Sequence, residues 1–431
     1  MTLKVSIGMT KRRKYFLGIV CILLLIITFL FLYLQYQNKK SQTILNLTTE
    51  QKLADYNELC RILDESYPFF LEAKQAGIDK KAIYAKYQTN IEKTQTDIAY
   101  FKELNYFLKE FGGLGHISLL DGYMYKMYID TFAIGNDMLT FENAQTIKPL
   151  AEVLNSPSCQ TTYGLLDQSH SGFRSIIGLK SEYQNAEILN EETITTEASL
   201  ITTKILQDKE TAYLKIPSFQ LTYYSIDEAV LSNFFSEIMD IPNLIIDVRG
   251  NSGGSDLYWQ NLLVKPNASH HLTSERYFLC NPNETTGDYI AAKGLIPQSL
   301  AASKDSFLSN YTDSFSSYVV DTTSFEAATN PYKGKIWVLT DADVYSASEN
   351  FVMFCKNTGF ATLVGSQTGG DGGIADPMLF ALPNSGLIVR FSIFYGLNAD
   401  GSGNEATGTT PDILISEGED AREKCLNMIE K

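Results

Sequence analysis

Hydrophobic residues at helical spacing predict a helical unit in the first third of the chain. Thr48 and Gln51 form a capping-box pattern, after which apolar residues recur every three or four positions. Similar patterns begin after Asp79 and after Thr96, and the last one ends at a glycine pair, as helix C-termini often do. We therefore predict three helices that lead the chain to His116.

Short apolar runs alternate with helical patterns in the second half of the chain. The runs that predict buried strands are residues 213–216, 244–248, 336–339 and 362–365. A helical pattern with Ser225 and Glu228 as a second capping box lies between the first two runs, and another ends at Thr358 and Gly359. This rhythm predicts an α/β domain with a mainly parallel sheet. Residues 123–205 alternate less cleanly, and we predict a connecting region that contains strands.

An uncharged apolar stretch near the N-terminus has the length of a membrane span. Residues 15–34 carry no charge and are rich in Leu, Ile and Phe, and a helix of that length crosses about 30 Å of hydrocarbon. Basic residues are more frequent before the stretch than after it, which places the N-terminus in the cytoplasm. A cleaved signal peptide is the alternative, but the apolar core is long and no small-x-small cleavage site follows. We predict a single-pass anchor in the cell membrane with the rest of the chain outside the cytoplasm.

The overall composition excludes some function classes. The net charge of −15 over 431 residues argues against nucleic-acid binding through bulk electrostatics. The six cysteines stand singly, without C-x-x-C spacing, which argues against a zinc site or a redox pair. A hydrophobic fraction of 44% is enough for two or three globular units with sizeable cores.

A glycine-rich turn follows one of the predicted buried strands. Residues 247–254 read Asp-Val-Arg-Gly-Asn-Ser-Gly-Gly. Glycines let backbone N–H groups approach a ligand and point at it, as an oxyanion hole requires. An ordinary strand-to-helix turn is the alternative interpretation. The turn has neither the G-x-G-x-x-G spacing nor the Walker lysine, which disfavours nucleotide binding.

A serine stands where another predicted strand passes into a helix. The helix N-terminus would supply N–H groups and a positive field that stabilise an alkoxide and an oxyanion near Ser346. The alternative is that Ser346 and Glu349 are ordinary capping residues. As a nucleophile, Ser346 needs a base, and the chain has four histidines. His116 follows a glycine-flanked helix end, whereas the other three lie in polar segments typical of solvated surface.

Four motifs in a fixed order carry a family resemblance. They are residues 247–254, Ser-Ala-Ser-Glu at 346–349, Val-Gly-Ser-Gln-Thr-Gly-Gly at 364–370 and Gly-Thr-Thr-Pro-Asp-Ile at 408–413. In this order they resemble the signature of the C-terminal processing (tail-specific) serine peptidases and the related tricorn core. The strand at 213–219 and the helical unit that ends at His116 extend the resemblance over most of residues 45–418.

The resemblance implies a role for each motif. Ser346 would be the nucleophile. The backbone N–H groups of Ala347 and of Gly253 or Gly254 would form the oxyanion hole. In the tail-specific branch, a lysine twenty-five positions after the nucleophile is the base, and here that position holds Asp371. The Ser-Lys dyad is therefore absent, and we expect replacement of Asp371 by alanine to leave most activity intact.

The tricorn-like branch instead uses a histidine from the N-terminal part of the catalytic unit, and His116 matches that position. It supports the histidine with a glutamate near the Gly-x-x-Pro-Asp motif, acting through a serine beside the histidine. Glu405, three residues before Gly408, is the candidate for this acid, and we expect Glu405→Gln to lower kcat strongly. The residue before His116 is Gly115 rather than serine, which leaves the relay open, with Ser118 as the alternative.

We therefore expect a serine peptidase that hydrolyses peptide bonds through an acyl-enzyme on Ser346, with His116 as general base and Glu405 as supporting acid. No metal or organic cofactor is implied. The expected partners are a peptide or protein substrate and the membrane, with no nucleic acid. Two other functions stay open: an inactive peptidase-fold protein that binds peptides, and an esterase that uses the same serine. The sequence indicates neither the natural substrate nor the oligomeric state.

The predicted fold is α/β, with a crotonase-like (ClpP/crotonase-type) catalytic domain preceded by a helical N-terminal unit and a transmembrane helix. The predicted segments are a cytoplasmic basic segment (1–14), the transmembrane helix (15–34), a linker (35–47), the helical unit that carries His116 (48–122), a connector of unassigned fold (123–205), the α/β catalytic domain (206–418) and a C-terminal helix or tail (419–431).

Overall fold

The computed structural model describes residues 27–30, 33, 45–132, 141–167, 199–206, 210–372 and 377–430. Within this part of the chain, no helix is both long enough and apolar enough to cross a membrane. Most of the predicted span at 15–34 lies outside the described residues. The residues of the span that are described, 27–30 and 33, are helical and exposed.

The helices and strands of the described residues are numbered in chain order. The helices are α1 (Thr49–Ser66), α2 (Phe70–Gln75), α3 (Lys80–Glu92), α4 (Asp97–Lys109), α5 (Gly122–Phe132), α6 (Phe141–Leu154), α7 (Pro157–Asp167), α8 (Tyr224–Glu237), α9 (Asp256–Trp259), α10 (Gly287–Ala292), α11 (Ala347–Thr358), α12 (Asn404–Thr407) and α13 (Ala421–Ile429). The strands are β1 (Ser118–Leu119), β2 (Thr202–Ile205), β3 (Thr211–Lys215), β4 (Asn243–Asp247), β5 (Leu272–Cys280), β6 (Gln298–Ser299), β7 (Ser317–Phe325), β8 (Lys335–Thr340), β9 (Thr362–Gly365), β10 (Met378–Ala381), β11 (Ile388–Phe391), β12 (Tyr395–Gly396) and β13 (Ile413–Leu414).

The N-terminal helices begin where their capping patterns predict. The Thr48 side chain accepts the Gln51 N–H, and the Gln51 side chain accepts the Thr48 N–H, so the capping box of α1 is confirmed. Asp79 and Thr96 cap α3 and α4 through their side-chain oxygens. The apolar faces of these helices share one hydrophobic core with β10 and β11. The helical unit is therefore packed against strands that lie more than half the chain away.

A six-stranded sheet in the order β13-β9-β8-β4-β3-β2 forms the centre of the second half. Its neighbouring strands are parallel except for the antiparallel pair of β2 and β3. One face packs on α8 and α11, and the other packs on α13. Because both faces are covered, β4 and β8 are apolar runs rather than alternating ones. The predicted α/β class and mainly parallel sheet are confirmed, and the crotonase-like arrangement stays a prediction.

Two smaller sheets join distant parts of the chain. One has the order β12-β5-β7-β6, and the other has the order β1-β11-β10. In the second sheet, β1 follows His116 directly and pairs antiparallel with β11, so that Ser118 lies opposite Arg390. This pairing holds the segment that carries His116 against the C-terminal half of the molecule.

Two predictions about individual segments need correction. Ser225 does not cap a helix: a 3-10 turn at 221–223 runs directly into α8, whose N-cap is Tyr223 without a side-chain cap bond. The predicted strand-containing connector at 123–205 includes α5, α6 and α7 as well as β2. Buried residues such as Leu150 and Leu154 recur there at helical spacing, which the mixed composition of the segment obscured.

Candidate active site

Ser346 lies in the turn that joins β8 to α11, at the N-cap position of the helix. Its backbone has φ 58° and ψ −125°, a conformation that non-glycine residues rarely adopt and that costs about 1–3 kcal/mol. The side chain makes no capping hydrogen bond, so the interpretation of Ser346 as an ordinary capping residue is wrong. A strained serine whose hydroxyl is not used by its helix is available for chemistry.

Gly253 brings the glycine-rich turn after β4 against the serine turn. A Cβ at Gly253 would lie 2.8 Å from the Tyr345 carbonyl oxygen and 2.9 Å from the Ala347 nitrogen, and its φ is 106°, so the approach requires glycine. The Gly253 N–H donates to Asn251 Oδ1 at 2.9 Å. Among the described residues, the N–H groups of Gly254 and Ala347 have no acceptor. Of the predicted oxyanion donors, these two are left to bind an anion.

Polar side chains hold the two turns together behind the serine. Asn350, one turn into α11, donates its backbone N–H to the Ser346 carbonyl at 2.9 Å. Its side-chain amide donates to both oxygens of Asp256, which begins α9, at 3.0 and 3.1 Å. Arg276 donates to Asn350 Oδ1 at 2.6 Å. Because both ends of the amide are engaged, the starts of α9 and α11 keep a fixed relation.

His116 ends a 3-10 turn that follows α4. Gly115 and His116 both have positive φ, at 56° and 62°. A Cβ at Gly115 would collide with the ring of Phe69, so this position does not accommodate the serine that the tricorn-like relay places beside the histidine. Ser118 Oγ donates to the His116 carbonyl oxygen at 3.2 Å and contacts the backbone rather than the ring. Neither position therefore provides the relay.

The imidazole ring of His116 lies between a tyrosine and an acid. The side chain is 19% exposed, and the ring packs edge-to-face on Tyr345 with the centroids 5.5 Å apart. Nε2 pairs with Oδ2 of Asp371. Within the described part of the chain, no hydrogen bond joins the ring to the Ser346 hydroxyl or to Glu405. The histidine contacts the serine turn through Tyr345, the residue before the nucleophile.

Glu405 approaches the histidine turn through the backbone. Its Oε1 accepts the Gly115 N–H at 3.1 Å and the Tyr345 hydroxyl at 3.3 Å. Its Oε2 is buried and has no hydrogen-bond partner among the described residues. Burial, followed by the negative charge of Asp371, raises the pKa of Glu405 to about 8. At neutral pH this acid is therefore mostly protonated.

Asp371 is the residue at the site that the sequence interpretation missed. Its side chain is 5% exposed, its φ is 61°, and its carboxylate contacts the His116 ring. The sequence signal was an acid enclosed by glycines, Gly-Gly-Asp-Gly-Gly at 369–373, at the position of the absent lysine. That signal identified the position but gave no reason to pair an acid there with a histidine 255 residues earlier.

Comparisons with known proteins show what the chain is similar to. Residues 210–415 match the model of Peptidase family S41. The fold is similar to that of a candidate peptidase from Parabacteroides merdae ATCC 43184, at 20% identity, with 88% of this chain and 97% of that chain covered and a TM-score of 0.53. It is also similar to that of mature CPAF complexed with lactacystin, at 13% identity, with 89% and 98% covered and a TM-score of 0.51.

No curated protein matches the chain by sequence. At these identities the two structural similarities concern the fold, which extends over most of both chains. The family match covers the glycine-rich turn, the serine turn and Glu405. The part of the chain that carries Ser346, residues 210–415, is thus similar to the serine peptidases of family S41.

Proposed function

We propose that this protein is a serine peptidase anchored in the cell membrane by its N-terminal segment, with the peptidase domain outside the cytoplasm. It hydrolyses peptide bonds through an acyl-enzyme on Ser346, with His116 as general base. The observation that carries the proposal is the Ser346 turn: a strained serine at a helix N-terminus, with an unused hydroxyl, packed against Gly253. The same chemistry requires a nucleophile, a base and oxyanion donors in one place.

Each step of the reaction uses groups of this site. Ser346 Oγ attacks the carbonyl carbon while His116 accepts the hydroxyl proton. The carbonyl oxygen becomes an oxyanion that accepts hydrogen bonds from the Ala347 and Gly254 N–H groups. The protonated histidine then gives its proton to the leaving amine as the C–N bond breaks, which leaves an ester on Ser346. Water attacks this ester with His116 as base, and the acid product leaves.

Two features near the serine support His116 as the base. Position 371 holds an acid, so no lysine takes the role of the dyad base. His116 and Ser346 both contact Tyr345, and hydrogen bonds between base and nucleophile often tighten only in the complex with substrate. Glu405 contributes by accepting the N–H of Gly115 and so holding the turn that presents His116.

A peptide-binding protein without turnover is the second candidate function. It is favoured by one observation: the His116 ring pairs with Asp371 and makes no hydrogen bond to the Ser346 hydroxyl. A protein of this kind would keep the serine turn and the glycine-rich turn but would not activate the serine.

Labelling with a fluorophosphonate probe separates the two functions. We expect the wild-type protein to be labelled covalently and Ser346→Ala to be unlabelled. Chromogenic peptide and ester substrates then distinguish a peptidase from an esterase. Absence of labelling in a folded wild-type protein would favour the binding function and contradict the peptidase.

The membrane part of the proposal is tested separately. It rests on the uncharged stretch at 15–34 and on the excess of basic residues before it. Protease added to intact cells should degrade the C-terminal domain and spare the N-terminal segment. Full protection of the C-terminal domain, with degradation after lysis, would reverse the topology.

A further inference from the structure

We propose that Asp371 is the positioning residue of the base: it holds His116 through Nε2, so that Nδ1 is the atom that takes the Ser346 proton. This rests on the proposed function, because it concerns the same histidine. The observation is the pairing of Asp371 Oδ2 with His116 Nε2, made by a carboxylate that is almost fully buried.

The pairing determines which ring nitrogen is basic. An ionised carboxylate only accepts hydrogen bonds, so Nε2 carries the proton that it contacts. A neutral imidazole has one N–H, and its other nitrogen is therefore the acceptor. When the ring gains a second proton at Nδ1, the negative charge of Asp371 stabilises the imidazolium, as an orienting carboxylate does for a catalytic histidine.

The backbone on both sides of Asp371 is fixed to the rest of the site. On one side, the Ser346 N–H donates to the Gly370 carbonyl oxygen at 3.2 Å. On the other side, the Gly372 N–H donates to Asn404 Oδ1 at 2.6 Å. The Asn404 amide in turn donates to the buried Glu349 of α11 at 2.8 Å. Asp371 is thus held between the serine turn and α12, the helix that carries Glu405.

Glu405 does not compete for this role. Its Oε1 is engaged by the Gly115 N–H and the Tyr345 hydroxyl. Burial and the charge of Asp371 raise the pKa of Glu405 to about 8, so near neutral pH Glu405 is mostly neutral. Asp371 then supplies the negative charge that the protonated ring needs, and Glu405 holds the backbone turn.

The charged groups around the His116–Tyr345 pair are Asp371, Glu405 and Arg390, and Glu72 lies near Glu405. Of these, Asp371 alone contacts the imidazole ring in the described part of the chain. Loss of its charge should therefore affect the ring more than loss of any other charge in the group.

The experiment uses the full-length protein in detergent micelles with Asp371→Asn as the main variant. Asparagine keeps the size of the side chain and tolerates the left-handed backbone of position 371, so the fold should survive. Asp371→Glu restores the charge. Asp343→Asn is the matched control for a lost charge, because Asp343 is an exposed aspartate in the turn between β8 and α11. Two quantities are measured: the rate of fluorophosphonate labelling, and the ¹⁵N NMR signals of the His116 ring, which show which ring nitrogen carries the proton. The ring signal is assigned by its loss in His116→Gln.

We expect Asp371→Asn to lower the labelling rate by about 10²- to 10⁴-fold. In the wild type the ring proton should lie on Nε2, and Asp371→Asn should weaken that preference, because an amide oxygen is a weaker acceptor than a carboxylate. Asp371→Glu should recover part of both, and Asp343→Asn should change neither.

Two results would overturn the role of Asp371: an unchanged labelling rate in Asp371→Asn, or slower labelling together with a wild-type ring proton that does not lie on Nε2. The second would reduce Asp371 to a structural residue. Wild-type protein that is not labelled, or Ser346→Ala that is labelled equally well, would instead contradict the proposed function. In that case the ring signals still decide whether Asp371 and His116 interact.

Discussion

The candidate active site has two halves that are built in different ways. The nucleophile half consists of Ser346, Ala347, Gly253 and Gly254. The base half consists of His116, Asp371 and Glu405. The nucleophile half follows the carboxyl ends of the adjacent parallel strands β4 and β8, and its contacts join backbone atoms. The base half comes from three separate segments, and its contacts involve ionisable side chains.

The two halves also differ in the kind of energetic cost that the folded state contains. In the nucleophile half the cost is backbone strain at Ser346, which has a positive φ. In the base half the cost is the burial of an acid, which raises the pKa of Glu405 to about 8. A substitution in the first half should therefore act through shape and be insensitive to pH. A substitution in the second half should act through protonation and change with pH.

The largest effect should come from removing one residue of each half. We expect Ser346→Ala and His116→Ala each to lower kcat by about 10⁴- to 10⁶-fold, with the double variant little worse, because both act in one proton transfer. The measurement is turnover of a chromogenic peptide. Wild-type turnover in His116→Ala beside an inactive Ser346→Ala would place the base elsewhere.

A shape change in the nucleophile half should have the next largest effect. In Gly253→Ala the added methyl would meet the Tyr345 carbonyl and the Ala347 nitrogen, so the oxyanion donors separate from the serine. We expect kcat to fall by about 10²- to 10³-fold, equally at all pH values. Gly250→Ala is the matched control, since Gly250 also has positive φ but faces open space. Equal losses in both variants would show that backbone strain alone is responsible.

In the base half, a charge change should alter the pH dependence of stability. The folded pKa of Glu405 is about 8 and its ordinary value is 4.5, so between these values the folded state holds a proton that the unfolded state lacks. This group therefore makes the free energy of unfolding fall as pH rises, by up to about 1.4 kcal/mol per pH unit. Glu405→Gln removes that slope, and its stability relative to wild type should grow between pH 5 and 8 in urea unfolding. A difference that is constant with pH would contradict the raised pKa.

The smallest effect should be the turnover of Glu405→Gln near neutral pH. The resemblance to the tricorn-like peptidases predicts a strong loss, whereas the structure changes that expectation. Glutamine keeps an oxygen for the Gly115 N–H, and wild-type Glu405 is already mostly neutral. We expect kcat within about tenfold of wild type and an unchanged KM. A loss of about 10²-fold or more would return the role of supporting acid to Glu405.

Local signals predicted much of the fold. The predicted helix starts after Thr48, Asp79 and Thr96 are confirmed, because each is fixed by a capping bond between residues three positions apart. The strands of the parallel sheet were recognised because burial on both faces requires an apolar run. The predicted cap at Ser225 was wrong because a 3-10 turn runs directly into α8, so the helical segment begins before Ser225.

The nucleophile half could be predicted from local sequence, because each of its turns lies within fewer than ten consecutive residues and glycine is required where two backbones touch. The base half depends instead on tertiary packing. The contact between Gly115 and Glu405 spans 290 positions, and the partner of His116 lies at a position where the resemblance predicted no role. Which buried charges meet depends on how the helical unit packs on β10 and β11, and no local pattern records that packing.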